Sequence, residues 1–321
     1  MSTRAIDAPV EPGAAAEDDD RYLLDREGFL GPLLLLPTVI YIFALVGIPL
    51  VLAVLYSLSD VTVGNQSLDF VGFENFVDVA RSGTFQQALR NTLIFTLVSQ
   101  LVVLVLANIL ALTLSADFKG KRLVRFLILL PWTTPIALGT LGWFWILDSV
   151  YSPIDFAMRQ VGLLGPDSMF GPQRNMYWLA EADLARLSVL VVHVWRTLPL
   201  ATVILLAGLT AIPNDVKEAA MVDGAGFWRQ VFYIRLPLLL PIMAVAVLFG
   251  MVFTFTDMTV VYVLTRGGPV DATQVLASWA YYKGIEGGNL AQGAAIALFL
   301  FPALVGVAIL MLRLARRAET T

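Results

Sequence analysis

Six stretches of this chain are too long and too apolar to be ordinary soluble helices. They run over about Phe29–Ser59, Asn91–Ser115, Phe126–Leu147, Leu187–Ile212, Leu236–Leu264 and Ala291–Leu312. Each meets the requirement of roughly twenty apolar residues for crossing a ~30 Å hydrocarbon layer. No water is available there to satisfy a free amide, so a span is a helix or part of a closed barrel. Strand-like alternation is absent, and the sequence predicts an all-α integral membrane protein of six transmembrane helices. Composition agrees: 58% of residues are hydrophobic, 14% are charged, and mean hydropathy is +0.77. Soluble proteins carry about 25% charged residues.

The remaining segments set the organisation. Residues 1–28 are rich in Ala, Pro, Asp and Glu and are expected to form a disordered cytoplasmic tail. Residues 29–312 are expected to form the six-span membrane domain, and 313–321 a second cytoplasmic tail. Pro32, Pro37 and Pro49 predict kinks in the first span, and Pro131 and Pro135 predict a break in the third. Basic residues set the orientation. The two tails, the turn holding Lys119, Lys121, Arg122 and Arg125, and the loop 213–235 together carry 13 Lys and Arg. The opposite loops carry 7, and Arg196 lies inside a span. Both termini and the 213–235 loop are therefore expected to be cytoplasmic.

Several chemistries are excluded. There is no cysteine, so disulfides and thiol catalysis are absent, and one histidine builds no histidine-rich metal site. A net charge of −4 offers no case for nucleic acid. The only Gly-Lys pair, Gly120-Lys121, is followed by Arg122 and lacks the upstream glycine of a phosphate loop, so the chain does not hydrolyse ATP itself. An intramembrane enzyme would need a paired-Asp, zinc or G-x-S-x-G constellation, none of which is apparent. An ion-coupled secondary carrier would display internal repeats, and none is evident.

The loop 213–235 is long and charged for a simple connection. Asn214 is expected to cap a short helix, with Asp215 and Glu218 in its first turns and Gly224 as its stop. A second short helix is expected over Ala225–Tyr233, with Phe227, Trp228, Val231 and Phe232 mostly on one face. The bland reading is an interfacial helix on membrane lipid, with Trp228 and Tyr233 at the belt. Against it, Glu218, Asp223, Ala219, Ala220 and Gly224 make a poor lipid face and allow close approach by another backbone.

The spacing carries a resemblance. Glu218-Ala219-Ala220, Gly224, nine further residues to Ile234, then Leu236-Pro237 resemble the EAA loop of ABC importer permeases. Asp223-Gly224-Ala225 is the form common in sugar permeases. Phe70–Phe76, Leu129-Leu130-Pro131-Trp132 and Leu264–Pro269 resemble that family too, and together cover about residues 30–312. Ser152-Pro153-Ile154-Asp155 departs from the usual Gly-x-Ile-Asn. The chain is similar to the maltose and glycerol-phosphate permease type, including the actinobacterial permeases for disaccharides such as trehalose. The resemblance implies that Glu218, Ala219, Ala220, Asp223, Gly224 and Ala225 dock in a cytoplasmic ATPase. It also implies a second homologous permease chain, two ATPase copies that hold ATP and Mg, and an extracytoplasmic sugar-binding protein. This chain itself is expected to need no cofactor.

Polar groups inside the spans are candidates for the substrate pathway: Asn91, Trp143, Arg196, Thr254, Asp257 and Tyr262. Ionisable groups at membrane depth are costly and face an interior or a cavity. Arg196 and Asp257 are therefore expected to pair, as a gate, a sugar contact or a helix pin. Trp143 fits a belt position as well as a sugar platform. Asn91, Gln100 and Asn108 fit interhelical hydrogen bonding, and His193 fits a hydrogen bond within the bundle.

Overall fold

A computed structural model describes residues 27–166, 168–170, 172 and 174–319. The expected tail 1–28 lies outside the described residues save for its last two. The chain divides into two units, 1–52 and 53–321. The first contains α1 (Glu27–Ile42), a π turn (Phe43–Gly47) and the start of α2 (Ile48–Ser57). Together these make one long apolar helix, Leu30–Ser57. Pro32 and Pro37 do not end it. Pro49 lacks an N–H, and its ring crowds the carbonyl four residues back, at Leu45. That carbonyl belongs to the π turn, where the wider i→i−5 bond from Ile48 N to Phe43 O makes room.

The second unit continues with α3 (Glu74–Arg81), α4 (Gly83–Ser115), α5 (Lys121–Thr133), α6 (Ile136–Ile146) and α7 (Pro153–Gln160). Then come α8 (Ala182–Ala211), α9 (Asn214–Val222), α10 (Phe227–Gln230), α11 (Leu236–Thr256), α12 (Thr259–Leu264), α13 (Leu276–Tyr281) and α14 (Leu290–Glu319). Among the described residues five helical stretches are long and apolar enough to span a membrane, and the bent pair α5–α6 makes a sixth if it counts as one span. That pair turns through 99°. Pro135 disfavours the helical region for the residue before it, and Thr134 accordingly adopts ψ 133°. Pro131 sits inside α5 without breaking it, so the expected break narrows to Pro135 alone.

Helices α4, α8 and α11 form the central core. Val103, Ala107 and Ala111 meet Ala201, Leu205 and Leu209, with Leu239 and Ala246 closing the seam. Small residues let helix backbones approach where hydrophobic force between helices is weak. A second core joins Phe85 and Ala88 to Trp279, Ala295 and Ile296. At its edge the π turn Tyr282–Glu286 crosses the first turns of α14. A Cβ on Gly293 would run into the backbone of Gly284, and one on Gly284 would lie 3.1 Å from the Gly293 Cα. A Gly293→Val substitution is therefore expected to force the crossing apart and cost about 1–3 kcal/mol. Thermal unfolding of the detergent-solubilised protein measures this, and an unchanged midpoint would refute it.

Three expectations need correction. The fifth span is not one helix over Leu236–Leu264, because it breaks at Asp257, whose φ, ψ of −79°, 115° are extended. The helix expected over Ala225–Tyr233 is not separate. α10 runs through a π turn (Val231–Arg235) into α11 as one stretch, Phe227–Thr256. Pro237 plays the same part here as Pro49 does in the first span, with the carbonyl of Tyr233 inside the π turn. Finally, the sixth span does not end at Leu312, because α14 continues through Arg313 to Glu319.

Candidate functional site

Two places collect the predicted residues. The first lies where α4, α8 and α11 meet, at the Asp257 break. Arg196 Nη1 donates to Asp257 Oδ2 at 2.7 Å, so the expected partners meet. The Asp257 side chain is 8% exposed and that of Arg196 21%. His193 Nδ1 is 3.4 Å from the same carboxylate oxygen, and its Nε2 is 2.8 Å from Thr254 Oγ1. Gln100 Nε2 donates to Thr254 Oγ1 at 3.1 Å. Thr254 Oγ1 has one proton, which it donates to the Gly250 carbonyl at 2.7 Å, so it accepts from Gln100 and, in its contact with His193, from Nε2–H. Two features of the backbone make this possible. The break frees Asp257 Oδ1 to accept from Thr259 N at 2.8 Å. Gly250 leaves the space into which Gln100 reaches, since a Cβ there would come within 2.7 Å of Gln100 Cδ.

This network borders a cavity of about 20 Å³, lined also by Phe95, Ser99 and Leu190. That is room for about one water, whereas ligand pockets run to roughly 300–1,000 Å³. The space is too small for a sugar, and most of its lining is apolar.

The other pathway candidates fall elsewhere. Asn91 is buried, and its amide donates to the carbonyls of Asp271, Ala272 and Gln274, where it clamps the loop between α12 and α13. Trp143 packs edge-to-face on Trp195, ring centroids 5.7 Å apart. Tyr262 belongs to a separate aromatic cluster. It stacks on Tyr282 at 5.8 Å, meets Tyr281 edge-on, and donates to Glu286 at 3.2 Å. Burial, then the Glu286 carboxylate, push the Tyr282 phenol up to about 12. Tyr281, Tyr282 and Glu286 were not anticipated, although the Tyr-Tyr pair was visible in the chain. The departing Ser152–Asp155 stretch has its own purpose. Ser152 Oγ caps α7, and the buried Asp155 accepts from Met176 N and Trp178 Nε1 at 2.9 and 2.8 Å.

The second place is α9 and its turn. Asn214 does not cap the helix as expected; it is the first helical residue, and its Oδ1 accepts from Lys217. The stop at Gly224 does form. Gly224 has φ +69°, Gly224 N donates to Met221 O, and Ala225 N donates to Ala220 O at 2.9 Å. This is the paired closure of a Schellman motif. Gln230, unanticipated, braces the turn: it donates to Ala225 O and accepts from Arg235. Ala220 is buried, while Glu218, Ala219, Met221, Val222 and Asp223 are exposed. Phe227, Trp228 and Phe232 form an exposed ridge, but Val231 is buried and does not share it.

Residues 103–320 match the family described as "Binding-protein-dependent transport system inner membrane component". The chain is 30% identical over 293 residues to the trehalose/maltose transport system permease protein MalF of Thermococcus litoralis, covering 91% of this chain and 95% of that one. It is 27% identical to the diacetylchitobiose uptake system permease protein DasB of Streptomyces coelicolor, over 92% of this chain and 89% of the relative. The fold matches a bacterial ABC transporter that imports alginate with a TM-score of 0.76, at 21% identity, over 92% of this chain and 97% of that one. These matches set aside the secondary-carrier and intramembrane-enzyme alternatives. The chain belongs to the binding-protein-dependent inner membrane component family and is a multi-pass permease subunit of an ABC transporter, with ATP hydrolysis on a separate subunit.

Proposed function

We propose that this permease imports a disaccharide of the trehalose, maltose or diacetylchitobiose kind by alternating access. The observation that carries the reading is the polar network around Asp257, which holds charge at membrane depth beside a cavity too small for sugar. A permease that needed only structural pins could use neutral hydrogen bonds there. A charged, hydrogen-bonded cluster gives sugar hydroxyls donors and acceptors once the helices separate. The names of the relatives support the substrate class.

In this reading the exposed face of α9, from Glu218 to Ala225, docks on a cytoplasmic ATPase. Two ATPase copies, holding ATP and Mg, draw this loop and that of a second homologous permease together. A binding protein delivers sugar on the opposite side. The basic-residue count supports cytoplasmic termini. A deletion strain complemented with this chain, given a panel of labelled disaccharides, tests the proposal. One disaccharide is expected to accumulate in an ATP-dependent way, and an ATPase to copurify. No accumulation of any disaccharide, with an ATPase bound, would overturn the substrate class. Absence of a bound ATPase would overturn the docking role.

A further inference from the structure

The turn before α5 gathers charge in a chain that is acidic overall. Between Ala116 and Arg125 stand Lys119, Lys121, Arg122 and Arg125 against the single acid Asp117. Lys121, Arg122 and Arg125 line an open hollow of about 580 Å³. Arg125 also lines a second space, an apolar furrow of about 310 Å³ between α4, α5 and α8. Its walls include Leu114, Ile128, Leu129, Leu206 and Ala207. From Thr210 to Thr202, both on its α8 wall, the furrow extends about 12 Å along the helix at 1.5 Å per residue. Leu123, Phe126 and Leu127 beside it are exposed. Arg125 is the hinge between the two spaces. One of its nitrogens donates to Leu114 O at 3.3 Å, which fixes the guanidinium at the mouth and leaves other N–H groups for a ligand. Lys121 leans on Asp117, whose side chain is fully exposed, so that pair is weak.

We infer that this paired space is a binding site for one anionic glycerophospholipid of the cytoplasmic leaflet, its phosphate in the basic hollow and an acyl chain in the furrow. Two features choose a lipid over the soluble ATPase, and a second permease on this surface would show as subunit loss in the test below. Positive charge and an apolar trough are joined end to end, as a headgroup and a chain are. The trough also lies on a helix surface at membrane depth, beyond the reach of a soluble ATPase. Basic pockets on the cytoplasmic side of membrane helices commonly hold such headgroups. Assignment to the cytoplasmic leaflet rests on the orientation proposed above.

The test uses the purified transporter, delipidated and then exposed to phosphatidylglycerol or phosphatidylcholine vesicles, with retained lipid weighed by native mass spectrometry. Phosphatidylglycerol is expected to be retained preferentially. The double substitution Arg122→Gln and Arg125→Gln is expected to weaken that retention roughly 25-fold, at about fivefold per charge. Arg125→Lys is expected to keep most of it. Ala207→Phe, which fills the furrow and leaves the charges alone, is expected to reduce retention of both lipids. Inorganic phosphate is expected not to displace the lipid; displacement would make the hollow a simple anion site and overturn the proposal. Wild-type retention in both the double variant and Ala207→Phe would also overturn it. So would loss of a partner subunit from the double variant with lipid retention unchanged, which would make the surface a protein interface. Since the chain has no cysteine, Lys119→Cys labelled with an impermeant maleimide reports the orientation separately. Labelling from outside the cell would overturn the leaflet assignment while leaving the lipid measurement intact.

Discussion

An Asp257→Ala variant is expected to lose about 3–5 kcal/mol of stability and to accumulate no sugar, because it strands Arg196 without its partner. The magnitude follows from asymmetry. A paired buried charge is close to break-even against its desolvation, but an orphaned one bears the whole penalty. At membrane depth the orphan has only the bundle to turn to. Asp257→Asn keeps the shape and the hydrogen bond to Thr259, so it is expected to fall between the variant and the wild type. Exchanging the charges, Arg196→Asp with Asp257→Arg, is expected to recover folding. Thermal unfolding and labelled-sugar uptake together read the outcome. A gate and a pin then separate. If the pair opens during transport, uptake by Asp257→Asn falls further than the amount of folded protein does. If it only pins α8 to the Asp257 break, uptake tracks folded protein. Single variants that unfold like the wild type would remove the pair from the energetics altogether.

The spans were legible because a bilayer imposes a length and forbids charge, and both are local properties of sequence. Arg196 and Asp257 stood out for the same reason: each breaks that rule inside an apolar run. Their partners did not stand out. Gln100 lies 154 positions from Thr254, and only the crossing of α4 over α11 brings them together. Asn91 reads as interhelical glue, yet it holds three carbonyls of a loop some 180 residues away. The break at Asp257 was hidden because Thr256, Met258 and Thr259 are neither glycine nor proline. The helix ends where the Asp257 carboxylate takes Thr259 N in a local turn and Arg196 from α8, and the second partner is tertiary. The opposite error occurred at Pro237. Proline near the start of a span suggested a helix boundary, but a π turn absorbs it and joins α10 to α11 in one helical stretch.

That continuity makes Gly224 the most consequential position outside the membrane. Its φ of +69° closes the Schellman motif that ends α9. A residue with a Cβ costs about 1–2 kcal/mol in this conformation, more if β-branched. Nothing crowds the position, so the penalty is one of backbone conformation and not of packing. A Gly224→Val turn is therefore expected to relax by moving α9, since α10 and α11 are one stretch anchored in the bundle. The spans themselves are untouched, so the protein is expected to insert and to reach wild-type levels. Docking of the displaced α9 is expected to weaken about 5–30-fold, the equivalent of that strain. ATP hydrolysis would continue in the partner while uptake falls at least tenfold, the signature of an uncoupled transporter. Glu218→Lys, which reverses charge on the exposed face without straining the turn, is expected to give the same signature. Paired measurements of hydrolysis and uptake in proteoliposomes decide the matter. Wild-type coupling in both variants would reduce the loop to a linker. Parallel loss of hydrolysis and uptake would mean that the ATPase no longer assembles, and would place the binding energy of the complex, as well as its coupling, in this turn.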